Sequence, residues 1–539
     1  MQKLFLWLVG ILTILLLPVN PAIAAEQVIV DVCVYGGTSG GVMAATATAK
    51  EGKSVILIEP GRHLGGMTSG GLGQTDYGNK TVIGGMARKF YKLLGLHYNN
   101  YEAWNFEPSA AEKIFDAMAT ANNIMVIKNH RLASVQKSGT AITKIVLDYA
   151  PTDEINAPGT VLKENAVIVE AKVFIDTSYE GDLMAKAGVK YTVGRESVRQ
   201  YGETLNGVRA KTSYNQFEIK ISPYVKKGVP STGLLPLIQE EDKAVTGNGD
   251  DKIQAYNFRL CLTKDPNNIL PIKPPEGYNP QKYEIIGRYL NALTDKGRPL
   301  NLNSLFMIDQ MPNNKFDINN KGAISTDYVG MNYDYPDGDY TTRAKIWHEH
   351  LDYIRGLLYY LATDEKVPNS VKEQINQMGL CKDEFPDTAG WPHQLYIREA
   401  RRMLGREVIT QAHIEHKTAI NDSIGMASYQ MDSHNCQRIV LFGTVINEGD
   451  VQVPLESPFQ ISYKAITPKE EECKNLLVPV ALSASHIAYG SIRMEPVYMI
   501  LGESAGYAAC AAIDEASNVQ DINIKKLQEK LRAKGQVLE

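Results

Sequence analysis

At 539 residues, with 44% hydrophobic and 22% charged residues, the chain has the composition of an ordinary globular protein and is too long for one core, so two domains are expected. A net charge of −5 and the lack of any long basic run exclude a polyanion binder, and nucleic acid with it. The six cysteines (33, 261, 381, 436, 473 and 510) lie scattered, without CxxC or metal-site spacing.

The chain opens with Lys3, an apolar run from Leu4 to Leu17 and the small-residue end NPAIAA. This is the pattern of a secretory signal cut after Ala24, so residues 1–24 are expected as a signal peptide and the mature chain as secreted or periplasmic. The run is short for a bilayer, and no later stretch could span one, so no stable membrane span is expected after cleavage. An uncleaved anchor is the other reading. The start MQKLF holds no twin-arginine pair, which points to export of the unfolded chain and cofactor binding outside the cytoplasm. Export permits disulfides, and Cys381, Cys436 and Cys473 could supply one with an undetermined partner. Cys33 and Cys510 sit in apolar surroundings and are expected as small buried hydrophobes.

Residues 31–59 follow a strand–turn–helix–strand pattern. VDVCVY is apolar and β-branched, Gly36, Gly37, Thr38, Ser39, Gly40 and Gly41 form a tight turn, GVMAATATAKEG is a small-residue helix, and SVILIE is a second buried strand. Against the pattern G-x-G-x-x-G, Gly36 and Gly41 hold the first and third places and Thr38 the second. A glycine turn lets backbone approach a pyrophosphate at a helix N-terminus, and Glu59 ending the second strand can accept from a ribose. Thr38 is expected to add its hydroxyl as a donor. The loop EPGRHLGGMTSGG then sets Gly65 and Gly66 six residues beyond the acid. That spacing resembles FAD proteins of the glutathione-reductase type, where this loop runs along the cofactor. The resemblance puts Arg62 at the adenosine end and Gly65, Gly66 and Met67 near the flavin, and leaves His63 as a site of covalent attachment to test.

Further along, PSAAEKIFDAMATANN has a Ser109/Glu112 capping box and an amphipathic body. The β-rich runs IMVIKNH, RLASVQKSGTAITKIVLDY and NAVIVEAKVFID then form a meander, and Asp176 to Ser178 stand where a second phosphate-side turn is expected. Inside TTRAKIWHEHLDYIRGLLYYLATD, Trp347, Leu351, Ile354, Leu358 and Leu361 recur at helical spacing, so His348 and His350 point to different sides and are not zinc ligands. REARRMLGRE concentrates Arg398, Arg401, Arg402 and Arg406, which reads either as a solvated helix face or as an anion clamp. In SYQMDSHNC, alternation puts Asp432 and His434 on one strand face as a carboxylate–imidazole pair suited to removing a hydroxyl proton. His486, just before the late segment GSIRMEPVYMILGESAGYAACAA, is the stronger candidate base, with Arg493 and Glu495 joining its pocket. That late helix, with Gly502 and Gly506, suits close packing against cofactor or sheet.

The motifs VYGGTSGG, HLGGMTSGG, FIDTSYEGDLMAKAG, YNFRLCLT, KDEFPDTAGWPHQLYIREARRMLG, DSIGMASYQMDSHNC and SASHIAYGSIRMEPVYMILG span residues 31 to about 515. Together they resemble a family of FAD-dependent oxidoreductases often found as secreted or envelope bacterial proteins, some relatives of which carry a xanthan-lyase label. The resemblance implies FAD and redox chemistry on an α/β fold. A split Rossmann-like FAD-binding domain of the glutathione-reductase type is expected, with an inserted α+β substrate domain. The expected boundaries are 27–200 and 466–539 for the FAD domain and 201–465 for the substrate or cap domain. Three functions stay open: oxidation of an alcohol or sugar hydroxyl, reduction of an activated double bond in a carboxylate, and polysaccharide lyase-type processing with structural FAD. The first is favoured, with a small-molecule substrate, no metal, and an electron acceptor that is oxygen, a quinone or a protein.

Overall fold

The computed structural model describes residues 25–210, 212–240 and 245–539, so the leader expected in residues 1–24 lies outside the described residues. Apolar, β-branched runs form β1 (Glu26–Tyr35) and β2 (Val55–Glu59), with α1 (Ser39–Lys50) between them. Helices α2 (Gly85–His97) and α3 (Pro108–Ala121) follow, then β3 (Met125–Lys128). The expected meander is β4 (His130–Ser138), β5 (Ala141–Tyr149) and β6 (Lys163–Asp176), and α4 (Asp182–Lys186) starts just beyond it. β3, β2, β1 and β6 run parallel in that order, and β5 and β4 continue the sheet antiparallel. The carboxyl ends of β1, β2 and β6 meet at one edge, Tyr35 beside Ile58 and Asp176, which is where open α/β sheets bind ligands.

The sheet is completed from far along the chain. Leu476–Leu477 pairs in parallel with Phe174 and Ile175, next to the stretch of β6 that β5 occupies. The late helix Glu495–Asp514 lies along α1, with Gly502 against the Gly40 carbonyl and Gly506 against Ala44. Both helices are buried almost all round, so their sequences are runs of small residues instead of amphipathic stripes.

Between these parts a second sheet of five antiparallel strands runs in the order Phe306–Met311, Lys315–Asn320, Leu260–Thr263, Gly379–Cys381, Ile269–Leu270. Helix Tyr340–Thr363 sends Trp347, Leu351, Ile354, Leu358 and Leu361 into the core, as its spacing implies. His350 is buried against the Ile346 carbonyl, and His348 lies on the outer side, 2.6 Å from Asp153. Among the described residues no helix is long and apolar enough to cross a membrane.

Local expectations fail at two places. Ser109 does not cap α3: the helix begins at Pro108, Ser109 donates to Glu384 at 2.9 Å, and Glu112 pairs with His63. REARRMLGRE is not a helix but an extended stretch in which Arg402–Met403 pairs with Tyr191–Thr192. Its arginines diverge to separate partners, because successive residues of an extended chain face opposite ways. Among the cysteines left open for pairing, Cys381 stands opposite Cys261, their sulfurs 3.7 Å apart.

Candidate active site

A cleft of about 760 Å³, open to solvent, lies at the carboxyl edge of the parallel sheet. Gly36, Thr38, Glu59, Gly61, Gly66 and Ser178 line one wall, and Arg131, Ala150, Thr152 and Asn156 line another. Gly36 has φ +103°, and a Cβ there would lie 2.6 Å from the Ser178 nitrogen, so only glycine lets β1 turn this close to β6. The Glu59 carboxylate accepts from Gly37 N at 2.7 Å and Gly61 N at 2.5 Å, which orients it into the cleft with acceptor capacity left over. Burial raises its pKa to about 7, although both amides oppose the shift. A glycine cradle, the N-terminus of α1 and an oriented acid are the groups that a dinucleotide's pyrophosphate and ribose require. The residues fit FAD.

The other expected cofactor contacts divide. Ser39, Gly40 and Gly41 form the first turn of α1, and Gly65 N donates to Gly37 O at 2.7 Å, tying the GGM loop to the turn. Met67 N donates to the Tyr179 hydroxyl oxygen at 2.8 Å. Thr38 does not offer a hydroxyl proton to a phosphate: it donates to Thr177 O at 2.9 Å and caps α1 through Gly41 N. Asp176 is fully buried and accepts from Ser178 and Met184, so it braces the turn after β6 instead of facing the cleft. Arg62 reaches Asp387 at 3.3 Å and lies outside the cleft lining. Gly502 and Gly506 face α1 and serve helix packing.

A second polar cluster forms where residues 76, 259, 327, 396–399, 429–434 and 486–495 converge. His434 Nδ1 lies 2.7 Å from Asp327 and Nε2 lies 3.4 Å from Asp432, so the expected carboxylate–imidazole pair exists, with a second carboxylate behind it. Arg398 pairs with Asp327 at 2.9 Å, and Arg493 pairs with Asp432 at 2.6 Å. Burial and Arg398 act to lower the pKa of His434, but Asp327 and Asp432 outweigh them and raise it above the usual histidine value. Asp76, half-buried beside Tyr429, is raised by burial. His486 is the first residue of helix His486–Ile492 and is only 2% exposed. Its Nδ1 meets Glu399 at 3.0 Å and its Nε2 meets Ser433 at 2.9 Å, so both ring nitrogens are engaged inside the protein. The His434 side chain keeps 15% exposure.

Glu495 joins neither histidine. It accepts from Thr68 at 2.5 Å and from the Tyr179 hydroxyl at 2.9 Å, and so fixes the start of the late helix to the GGM loop. The pairings of Asp327 with His434 and of Glu399 with His486, and the place of Asp76, escaped the sequence reading: Asp327 lies 107 positions from His434 and Glu399 lies 87 from His486, with no local pattern to join them.

Comparison with known proteins agrees with this geometry. A sequence model described as FAD dependent oxidoreductase matches residues 31–531. The chain belongs to that family. It is an oxidoreductase with FAD as its cofactor. No curated protein matches it significantly in sequence. Among solved structures, it is similar to a geranylgeranyl bacteriochlorophyll reductase-like protein from Thermoplasma acidophilum, at 11% identity over 95% of this chain and 85% of that one, with a TM-score of 0.34. It is also similar to THI4 of Thermovibrio ammonificans, at 18% identity over 30% of this chain and 64% of that one, and to the flavin-dependent brominase Bmp2, at 14% identity over 31% and 42%; both TM-scores are 0.23. The chain thus covers less than two thirds of the brominase and of THI4. At these scores the likenesses carry no argument, and the assignment rests on the family match.

Proposed function

We propose that this FAD-dependent oxidoreductase oxidises a hydroxyl of a neutral, polyhydroxylated small molecule such as a sugar, with residues 201–465 covering the substrate. The observation that supports this reading is the pairing of the arginines. Arg398 is matched by Asp327, Arg493 by Asp432, Arg259 by Asp317, Arg401 by Asp182 and Asp337, and Arg402 by Glu196. A carboxylate substrate would need a cation not already neutralised, whereas a polyol needs the carboxylate, imidazole and tyrosine acceptors and donors that line the cluster. Bound FAD supplies a two-electron acceptor. His434 takes the hydroxyl proton at Nε2, while Asp327 holds Nδ1 and stabilises the imidazolium that forms. Glu399 and Ser433 fix His486 behind it as a positioning residue.

The sign of the pH dependence follows. His434 accepts a proton only when neutral, and its pKa is raised above 6.5, so flavin reduction by substrate should quicken as pH rises through a midpoint above 6.5. Anaerobic flavin bleaching against sugars, hydroxy acids and enoates, followed across pH, tests both the substrate class and the proton's direction. Reoxidation of reduced enzyme by an enoate, fastest at low pH, would instead support double-bond reduction with His434 as donor. Turnover of a polysaccharide without any change in flavin colour would support the lyase reading.

The mature protein is placed, in the same proposal, outside the cytoplasm, on the strength of the leader pattern in residues 1–24. Amino-terminal sequencing of the native protein should begin at Ala25. A cytoplasmic holoprotein that retains residues 1–24 would refute export.

A further inference from the structure

Strand Leu260–Thr263 is the middle strand of the five-stranded sheet, and strand Gly379–Cys381 pairs with it antiparallel, Gly379 opposite Thr263 and Leu380 opposite Leu262. The next step of that register puts Cys381 opposite Cys261. Their sulfurs are 3.7 Å apart, both side chains are fully buried, and Met311 and Phe385 complete a small apolar cluster separate from the main cores. Among the described residues no other two cysteines are in contact. Facing residues on paired strands hold their Cβ atoms about 4.5–5.5 Å apart, at the upper edge of the roughly 3.5–4.5 Å that a disulfide spans. A small local approach of the strands is therefore needed, and the sulfurs must close by under about 2 Å to reach bonding distance.

We propose that Cys261 and Cys381 form a disulfide that staples the middle of the cap sheet. Formation joins the two sulfurs and removes two electrons and two protons, which pass to a disulfide donor, either oxidised glutathione or a dithiol–disulfide protein, leaving it as two thiols. Mutual contact and burial both push the Cys261 thiol well above its ordinary pKa, so exchange is suppressed once the sheet has closed and belongs to folding. The bond would close a segment spanning 120 positions, which restricts the unfolded chain far more than a short loop does. It also anchors the start of the segment that carries Glu384 to Lys315 (2.8 Å) and then Gln394 to the cofactor cleft.

The test does not depend on export or on substrate. Holoprotein is folded with FAD in a glutathione redox buffer, and separately recovered from an oxidising compartment. FAD-bearing material is quenched in acid, denatured and alkylated without reduction. Four of the six thiols should label, and trypsin should release peptides 260–264 and 373–382 as one cross-linked species that separates on reduction. C261S and C381S should each label all five remaining cysteines. Six labelled thiols in the wild-type holoprotein, or a cross-link joining any other pair, would overturn the proposal. If one serine variant fails to bind FAD, the wild-type peptide map still decides.

Discussion

His434 and His486 differ by access, and that difference ranks them. The sequence favoured His486 because it directly precedes the late cofactor segment; in the structure both of its ring nitrogens are already bonded to Glu399 and Ser433. His434 has Asp327 at Nδ1 and the longer 3.4 Å contact with Asp432 at Nε2, and its side chain keeps 15% exposure against 3% for His486. We expect His434→Asn to retain FAD and slow flavin reduction by ~100- to 10,000-fold, the usual weight of a general base. His486→Gln should retain the pH midpoint of the wild type and lose less than His434→Asn does, with stopped-flow reduction measuring both. If His486→Gln is the slower variant at equal FAD content, the ranking is wrong. The pair Asp432–His434 was legible from strand alternation alone, because both residues share one short segment. Asp327 was not, since nothing in its own neighbourhood distinguishes an acid that will be folded against a distant imidazole. The arginine run misled for the same reason: its spacing fits a helix, but paired carboxylates scattered along the chain draw each side chain a different way.

The contact between α1 and helix Glu495–Asp514 shows what a glycine-rich pattern can and cannot announce. Gly36 at its positive φ and Gly502 against Gly40 look alike in sequence; one opens a cleft, and the other lets two backbones touch. Gly502→Val should therefore lower the thermal midpoint through overpacking, at a cost of about 1–3 kcal/mol, with FAD affinity of the folded fraction little changed. Reduced affinity at unchanged apoprotein stability would put Gly502 at the cofactor instead. On the same helix, Glu503 accepts from Met86 N at 2.7 Å and Gln536 at 2.6 Å, and burial raises its pKa to about 7. A carboxyl that is harder to ionise when folded stabilises the fold at low pH, and that contribution is lost as pH rises from its unfolded value near 4.5 through 7. Glu503→Gln should remove this part of the slope, on the order of 3 kcal/mol between pH 4 and 8. Urea unfolding at the two pH values measures it, and an unchanged slope would count against an ionising Glu503.

Across the whole molecule, the strand–turn–helix–strand unit and the long Tyr340–Thr363 helix could be read directly, because each is a local pattern longer than its exceptions. The five-stranded antiparallel sheet could not, since its strands are two to six residues long and pair across the chain. His63, whose two ring nitrogens meet Glu112 at 2.7 Å and Asp387 at 3.0 Å, has no free nitrogen to bond a flavin. Acid precipitation should accordingly leave all of the FAD in the supernatant, and yellow pellets would contradict that. The return of Leu476–Leu477 to β6, and of the late helix to α1, has a consequence for how the protein is made. A ribosome delivers β1, α1 and β6 some three hundred residues before the segments that cover them, so the nascent cofactor half waits with a bare strand edge and an apolar helix face. Chains that stop short of residue 476 should be held by chaperones or degraded, however complete their glycine turn, and only full-length synthesis ends that exposure.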